Sequence, residues 1–287
     1  MKWTVCDGVT LRAFLARQLP LPEYRIKALM EKGLVRVDET PARKDQPLQP
    51  GMAVEARLPR SFLPKVPVLF EGQDYLVVEK PRGIEVCDSE TGALTMEDTL
   101  HLMGYENAVP CHRLDTHTGG VMLFARGKQA ESAARILFSS HELRKKYLAV
   151  CIGTPKNPSA DVKAYLIRQG GKSIILQHSR PGALPIETRY RILSRKEGLS
   201  FAEIELVTGR THQIRAHFAS WGCPLLGDDL YGQREFNRIW KVRYPCLWAE
   251  SLTFPNHSEG PLAELSGLTF SSSPQFPEKL RTLFFEQ

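Results

Sequence analysis

The chain lacks any apolar run near the roughly 20 residues that a membrane-spanning helix needs, so a membrane partner is not expected. Its six cysteines, at 6, 87, 111, 151, 223 and 246, form no C-x-x-C pair. That argues against a zinc ribbon or a dithiol redox centre, and no metal site is expected. The opening M-K-W-T-V-C-D-G has no apolar signal-peptide core. Reduced, mostly buried thiols in a cytoplasmic protein are therefore expected. No internal repeat and no low-complexity segment occur. Acidic residues fall short of basic ones, 32 against 38, leaving a net charge of +6. That balance suits a polyanionic partner without establishing one.

The 287 residues suffice for one large domain and a small one. Residues 1–60 hold eleven Lys/Arg against seven Asp/Glu, so most of the excess charge sits in the first fifth of the chain. Leu11, Phe14 and Leu15 recur at helical spacing behind Thr10, a good N-cap residue. Pro20-Leu21-Pro22 breaks that pattern. A second helix is predicted with Ile26, Leu29 and Met30 on one face and Gly33 as its stop. Residues 34–37 and 52–56 read as short strands. The two prolines of residues 61–67 suggest a linker, and residues 68–287 then form the large domain. Strand patterns there fall at 68–70, 75–79, 121–125, 147–152, 162–167, 173–177, 186–193 and 201–207. Helical patterns fit 95–103, 128–140 and 211–221. Many strands with few helices predict an α+β domain on a mixed or antiparallel sheet.

Residues 111–120 read C-H-R-L-D-T-H-T-G-G, one carboxylate among cations ahead of an apolar strand. Two glycines there allow a close backbone approach or a positive φ. Asp115, flanked by His112 and Arg113, is expected to be ionised and so suited to act as a nucleophile or general base. A lone aspartate in that setting also reads as a loop cap. Three further segments bear on the choice: K-P-R-G-I at 80–84, K-K-Y-L-A-V at 145–150, and T-G-R-T-H-Q-I-R at 208–215, the last followed by G-D-D-L-Y-G at 227–232.

In order and spacing, H-R-L-D-x-x-T with T-G-R-T-H-Q-I-R resembles the RluA-type pseudouridine synthases over roughly residues 68–255. The resemblance implies a mixed-sheet catalytic domain that isomerises uridine in RNA with no cofactor. It implies that Asp115 is the essential aspartate, Tyr147 the tyrosine that stacks on the target base and helps move the C5 proton, and Arg210 the basic residue paired with the aspartate. It makes Arg113 the residue that enters the RNA to displace the uridine, and it puts Ile214 and Arg215 in the motif lining the pocket. The helix, helix, strand, turn, strand order of residues 1–60 resembles the S4 RNA-binding module. That likeness nominates Arg25, Lys27, Lys32, Arg36, Arg43 and Lys44 as RNA contacts, giving affinity and salt dependence rather than sequence choice.

The residues themselves agree with this reading. A uridine within folded RNA must be flipped out before chemistry, at a cost of a few kcal/mol. A planar guanidinium can stack in the gap it leaves. The chain departs from the family where Gly119 replaces a usual serine, which is expected to loosen the loop, and where Trp248 and Cys87 replace usual histidines. His212 and His217 are expected to be structural. Structured ribosomal RNA is the favoured substrate because of the S4-like module. A tRNA substrate, a catalytically silent RNA-binding protein and a carboxylate-based hydrolase are the competing readings. The last would want a second acid. A monomer is expected, since such a site needs only one chain.

Overall fold

A computed structural model describes residues 1–19, 21–88, 94–256 and 259–285. Pro20, one of the predicted helix breakers, lies outside the described residues. The chain divides into two compact units, Met1–Lys65 with Ile84–Glu106, and Val66–Gly83 with Asn107–Gln287.

In the small unit, Thr10 caps the helix Leu11–Gln18, its Oγ1 accepting from the Ala13 amide at 3.3 Å. Leu11, Phe14 and Leu15 face inward. The second helix, Glu23–Glu31, buries Ile26, Leu29 and Met30. Gly33 ends it at φ +68°, a conformation that favours glycine. Val35–Val37, Ala53–Ala56 and Lys2–Thr4 pair antiparallel. The segment read as a linker starts as part of this unit, because Phe62 of the 3-10 turn Arg60–Phe62 packs into its core. Residues 84–106, placed by sequence in the large domain, also group here. Their helix, Met96–Leu102, carries a Thr95/Asp98 capping box. Lys27 lies 3.8 Å from Glu31. Among the described residues, Arg25, Lys32, Arg36, Arg43 and Lys44 have no carboxylate within ion-pair distance.

The large unit has an α+β fold. Among the described residues its sheet has eleven strands, nine of which run in the order 172–176, 159–169, 184–196, 199–206, 144–152, 247–253, 119–125, 75–80, 68–71. Every pairing is antiparallel except that of Gly119–Ala125 with Leu247–Thr253. The strands predicted from residue 121 and residue 147 begin earlier, at Gly119 and Arg144, and Leu247–Thr253 is a strand missed by the sequence reading. The helix Lys128–Ser140 buries Ala130, Ala134 and Leu137 over Tyr75, Val77, Val121 and Leu123. The helix Glu278–Phe284, also missed, buries Leu280 in a second core cluster with Trp248, Phe201 and Phe276. No described helix is long and apolar enough to cross a membrane.

Register assembles the centre of this unit. Lys80 pairs with Gly120, Gly120 with Ala249, Ala249 with Tyr147, and Tyr147 with Ile204. Residues paired this way share a face, so Lys80 and Tyr147 project to one side of the sheet. A bulge between Lys146 and Tyr147 adjusts the strand at that row. Gly119 does not loosen the loop as expected. It is buried within the strand, and a Cβ there would stand 2.4 Å from Cζ3 of Trp248. The two residues named as departures therefore meet, and glycine at 119 provides room for an indole.

Candidate active site

Asp115 sits on the turn between Leu114 and the strand from Gly119, its backbone carbonyl accepting from the Thr118 amide at 2.9 Å. Lys80 fixes this turn from below. Its buried ammonium lies 2.8 Å from the Thr118 carbonyl, 3.0 Å from that of Thr116, 3.3 Å from that of Asp115 and 3.2 Å from that of Pro81. Four acceptors compete for three N–H donors, which ties the loop to one lysine. Burial draws Lys80 down to about 7, with the charge of Asp115 pulling the other way and Arg82 assisting burial.

The carboxylate of Asp115 is about one-fifth exposed and accepts from Arg215 Nη1 at 3.0 Å. Arg215 is itself held by Asp228, Nε donating at 2.7 Å and Nη2 at 3.0 Å. This fork geometry leaves Nη1 free to aim at Asp115. Burial pulls the Arg215 guanidinium down, but the bonds and charges of Asp228 and Asp115 outweigh it and hold it above its ordinary value. Asp228 is fully buried and also accepts from the amides of Leu230 and Tyr231. The Tyr231 ring lies 5.2 Å from the Arg215 guanidinium carbon.

Arg210, expected to pair with the aspartate, does not do so. It is exposed, and among the described residues its guanidinium meets no carboxylate. The physical reason is local. Residue 210 lies just before the turn that leads into the helix Gln213–Ser220, where its amide donates to Gln213 Oε1 at 3.0 Å. Arg215 is the residue that helix turns toward Asp115. Gln213 locks the approach, since Oε1 also accepts from Thr208 Oγ1 at 2.9 Å while Nε2 donates to the Glu187 carbonyl at 3.1 Å and Thr188 Oγ1 at 3.0 Å. His217 is structural in placement, buried with Nδ1 3.0 Å from Thr188 Oγ1. His212 is closer to the chemistry than expected. It caps the helix at φ +56°, with Nδ1 3.1 Å from Tyr231 Oη and Nε2 3.8 Å from Asp115 Oδ2. Burial lowers its pKa.

A cavity of about 100 Å³ opens over Asp115. Arg113, Tyr147, Arg210, Ile214 and Arg215 all line it, with Leu206 and Leu247 as further apolar wall. Sequence reading thus collected six residues that the fold brings together, from three separate segments. Tyr147 and Ile214 are buried, whereas Arg113 is exposed. Burial raises the Tyr147 phenol and the charge of Asp115 raises it further, so it is protonated near neutral pH. Lys80 and Gln213 were not singled out from the sequence, and Asp228 was expected, with Tyr231, only to shape a turn that supports the site. The signal was present for all three, since Lys80 lies in K-P-R-G, Gln213 in T-G-R-T-H-Q-I-R and Asp228 in G-D-D-L-Y-G. The cations Arg25, Lys27, Lys32, Arg36, Arg43 and Lys44 belong to the small unit.

A family profile described as RNA pseudouridylate synthase matches residues 74–220. An uncharacterized RNA pseudouridine synthase of Mycobacterium bovis is 30% identical over 284 aligned residues, covering 90% of each chain. Ribosomal large subunit pseudouridine synthase C of Vibrio parahaemolyticus is 29% identical over 250, covering 80% of this chain and 78% of that one. Among solved structures, human RNA pseudouridylate synthase domain containing 4 superposes with a TM-score of 0.58 at 25% identity, over 74% of this chain and 89% of the other.

Proposed function

The chain belongs to the RNA pseudouridylate synthase family, and from that premise we propose that it isomerises specific uridines of structured RNA, with large-subunit ribosomal RNA as substrate and Asp115 as the catalytic carboxylate. The observation that carries the role of Asp115 is its pairing with Arg215 at the mouth of a cavity that Tyr147 and Ile214 wall. In the reaction the bond from C1′ to N1 breaks, the uracil turns, and a bond from C1′ to C5 forms. The C5 proton leaves and N1 gains one, so the change is an isomerisation that needs no external group.

Each residue has a task in that sequence. Arg113, exposed at the rim, is the planar cation that takes the place of the flipped base. Tyr147 stacks on the uracil, worth about 1–3 kcal/mol by analogy with other base–aromatic contacts. Its protonated phenol suits stacking and hydrogen bonding better than removal of the C5 proton. Arg215, anchored by Asp228, aims Asp115. Arg210, free of carboxylates and exposed, is a contact for RNA.

Ribosomal RNA is favoured over tRNA because the ribosomal large subunit synthases of three Vibrio species are among the relatives and because residues 1–60 resemble an S4 module. The hydrolase reading loses support, since Asp228, the second acid nearby, is fully buried against Arg215 and does not line the cavity. The test is pseudouridine mapping of total RNA, by carbodiimide labelling and primer extension, in cells with and without the gene. A signal lost from large-subunit RNA and not restored by Asp115→Asn supports the whole proposal. A signal lost from tRNA overturns the substrate, and restoration by Asp115→Asn overturns the role of the aspartate.

A further inference from the structure

A second cavity, of about 380 Å³, adjoins the Asp115 cavity and shares Arg113, Tyr147, Gly209 and Arg210 with it. Lys145 and Phe138 complete its character. Among the described residues no aspartate or glutamate lines it, so three permanently or ordinarily cationic side chains face it without an acid.

Lys145 is the informative one. It is 5% exposed, on the strand Arg144–Ile152 two residues before Tyr147. Its Nζ donates to the Val207 carbonyl at 3.3 Å and lies 5.9 Å from the centre of the Phe138 ring. Among the described residues it has no carboxylate within ion-pair distance. Glu205, whose charge reaches it, is bonded at 3.1 Å to both Arg144 and Arg189. A buried ammonium short of counter-charge is costly, and an anion in the cavity would relieve that cost. His112 offers no negative charge either. Its Nε2 accepts from the Leu123 amide at 3.1 Å and its ring stacks on Phe138, with centroids 4.7 Å apart.

We propose that this second cavity seats the nucleotide adjoining the target uridine, with Lys145 and Arg210 binding the phosphodiester that joins the two. The inference rests on the RNA-modifying reading of the neighbouring cavity. A uridine held over Asp115 is tied to its neighbour by one phosphate, and the shared wall of Arg113, Tyr147 and Arg210 is where that link must cross. A lysine serves a phosphate as a point charge, while the Phe138–His112 pair gives the neighbouring ribose an apolar wall.

The test uses full-length protein and a transcript around the mapped uridine. A single neutral methylphosphonate replaces the phosphate on one side of the target or the other. Both dissociation constants and single-turnover rates are measured. One of the two replacements is expected to weaken wild-type binding about tenfold, the loss of one charge-assisted hydrogen bond. Lys145→Gln is expected to cost the same on normal RNA and to be insensitive to that replacement. Arg210→Gln, at an exposed residue whose loss does not threaten folding, provides the same comparison if Lys145→Gln fails to fold. Wild-type affinity unchanged by both replacements overturns the proposal. So does a methylphosphonate penalty that persists in full in both variants. Absence of pseudouridine from normal RNA would refute the enzymatic reading instead, and the binding comparison still decides the phosphate site.

Discussion

Placing a methyl group on Gly119 tests how the centre of the large unit is built. The Cβ of Gly119→Ala would stand 2.4 Å from Cζ3 and 2.9 Å from Cη2 of Trp248, and 3.0 Å from the Lys80 carbonyl oxygen. Ordinary carbon contacts are about 3.5–4.0 Å, so the overlap exceeds an ångström. The indole cannot swing away cheaply. It is fully buried, and its Nε1 donates to Ser272 Oγ at 2.9 Å, with the Ser272 carbonyl at 3.2 Å. Overpacking of this kind costs about 1–3 kcal/mol, and we take about 2. Trp248→Phe removes the outer ring that makes the clash, at a cost of about 2 kcal/mol for the cavity and the lost hydrogen bond. In the double variant the methyl enters the vacated space. The combined loss is expected to be about 2–3 kcal/mol rather than the sum of about 4, a coupling of at least about 1 kcal/mol. Urea unfolding of the four proteins at 25 °C measures it. Additivity within about 0.5 kcal/mol, or a neutral Gly119→Ala, would refute the close-approach argument.

Other outcomes follow from the same structure. Asp228→Asn takes from buried Arg215 the carboxylate that anchors it and leaves it only Asp115, which should lower stability by about 3 kcal/mol and cut kcat more than tenfold because Asp115 loses its aim; unchanged kcat on the mapped substrate would remove Asp228 from the site. Burial lowers His112 to about 3 and His217 to about 4. Both folded values lie below the unfolded 6.5, so their neutral forms hold stability that is present above pH 6.5 and is lost as pH falls toward 4. Unfolding should take up about two protons there from these groups, a slope of about 2.7 kcal/mol per pH unit. Urea titrations at pH 7, 5.5 and 4.5 should show His217→Gln reducing the slope by about one proton, and an unaltered slope would show that His217 is not the source. Replacing Arg36, Arg43 and Lys44 together by Gln should weaken RNA binding and lower the salt slope by about 2–3. An unchanged slope would mean that this face of the small unit does not meet phosphate. Point changes are preferable to deleting residues 1–60, because residues 84–106 belong to the same compact unit.

Local patterns in the chain were strong enough to fix most elements. Thr10, Gly33 and the Ile26, Leu29, Met30 face specify the first two helices by capping, chirality and period. The alternating and apolar runs mark the strands. The resemblance carried by H-R-L-D, K-K-Y-L-A-V and T-G-R-T-H-Q-I-R nominates Asp115, Tyr147, Arg113, Ile214 and Arg215, and all five line one cavity. What sequence spacing could not decide was which arginine meets the aspartate. Arg210 and Arg215 are five residues apart in one motif, and only the helix beginning at Gln213, together with buried Asp228, selects the second. Nor could it show that Gly119 and Trp248 are one contact, for they are brought into register by a parallel pairing across more than a hundred residues. Propensity and motif are properties of neighbours in the chain. Pairing of charges and the filling of space belong to neighbours in the fold, and those are set only when the sheet closes its register.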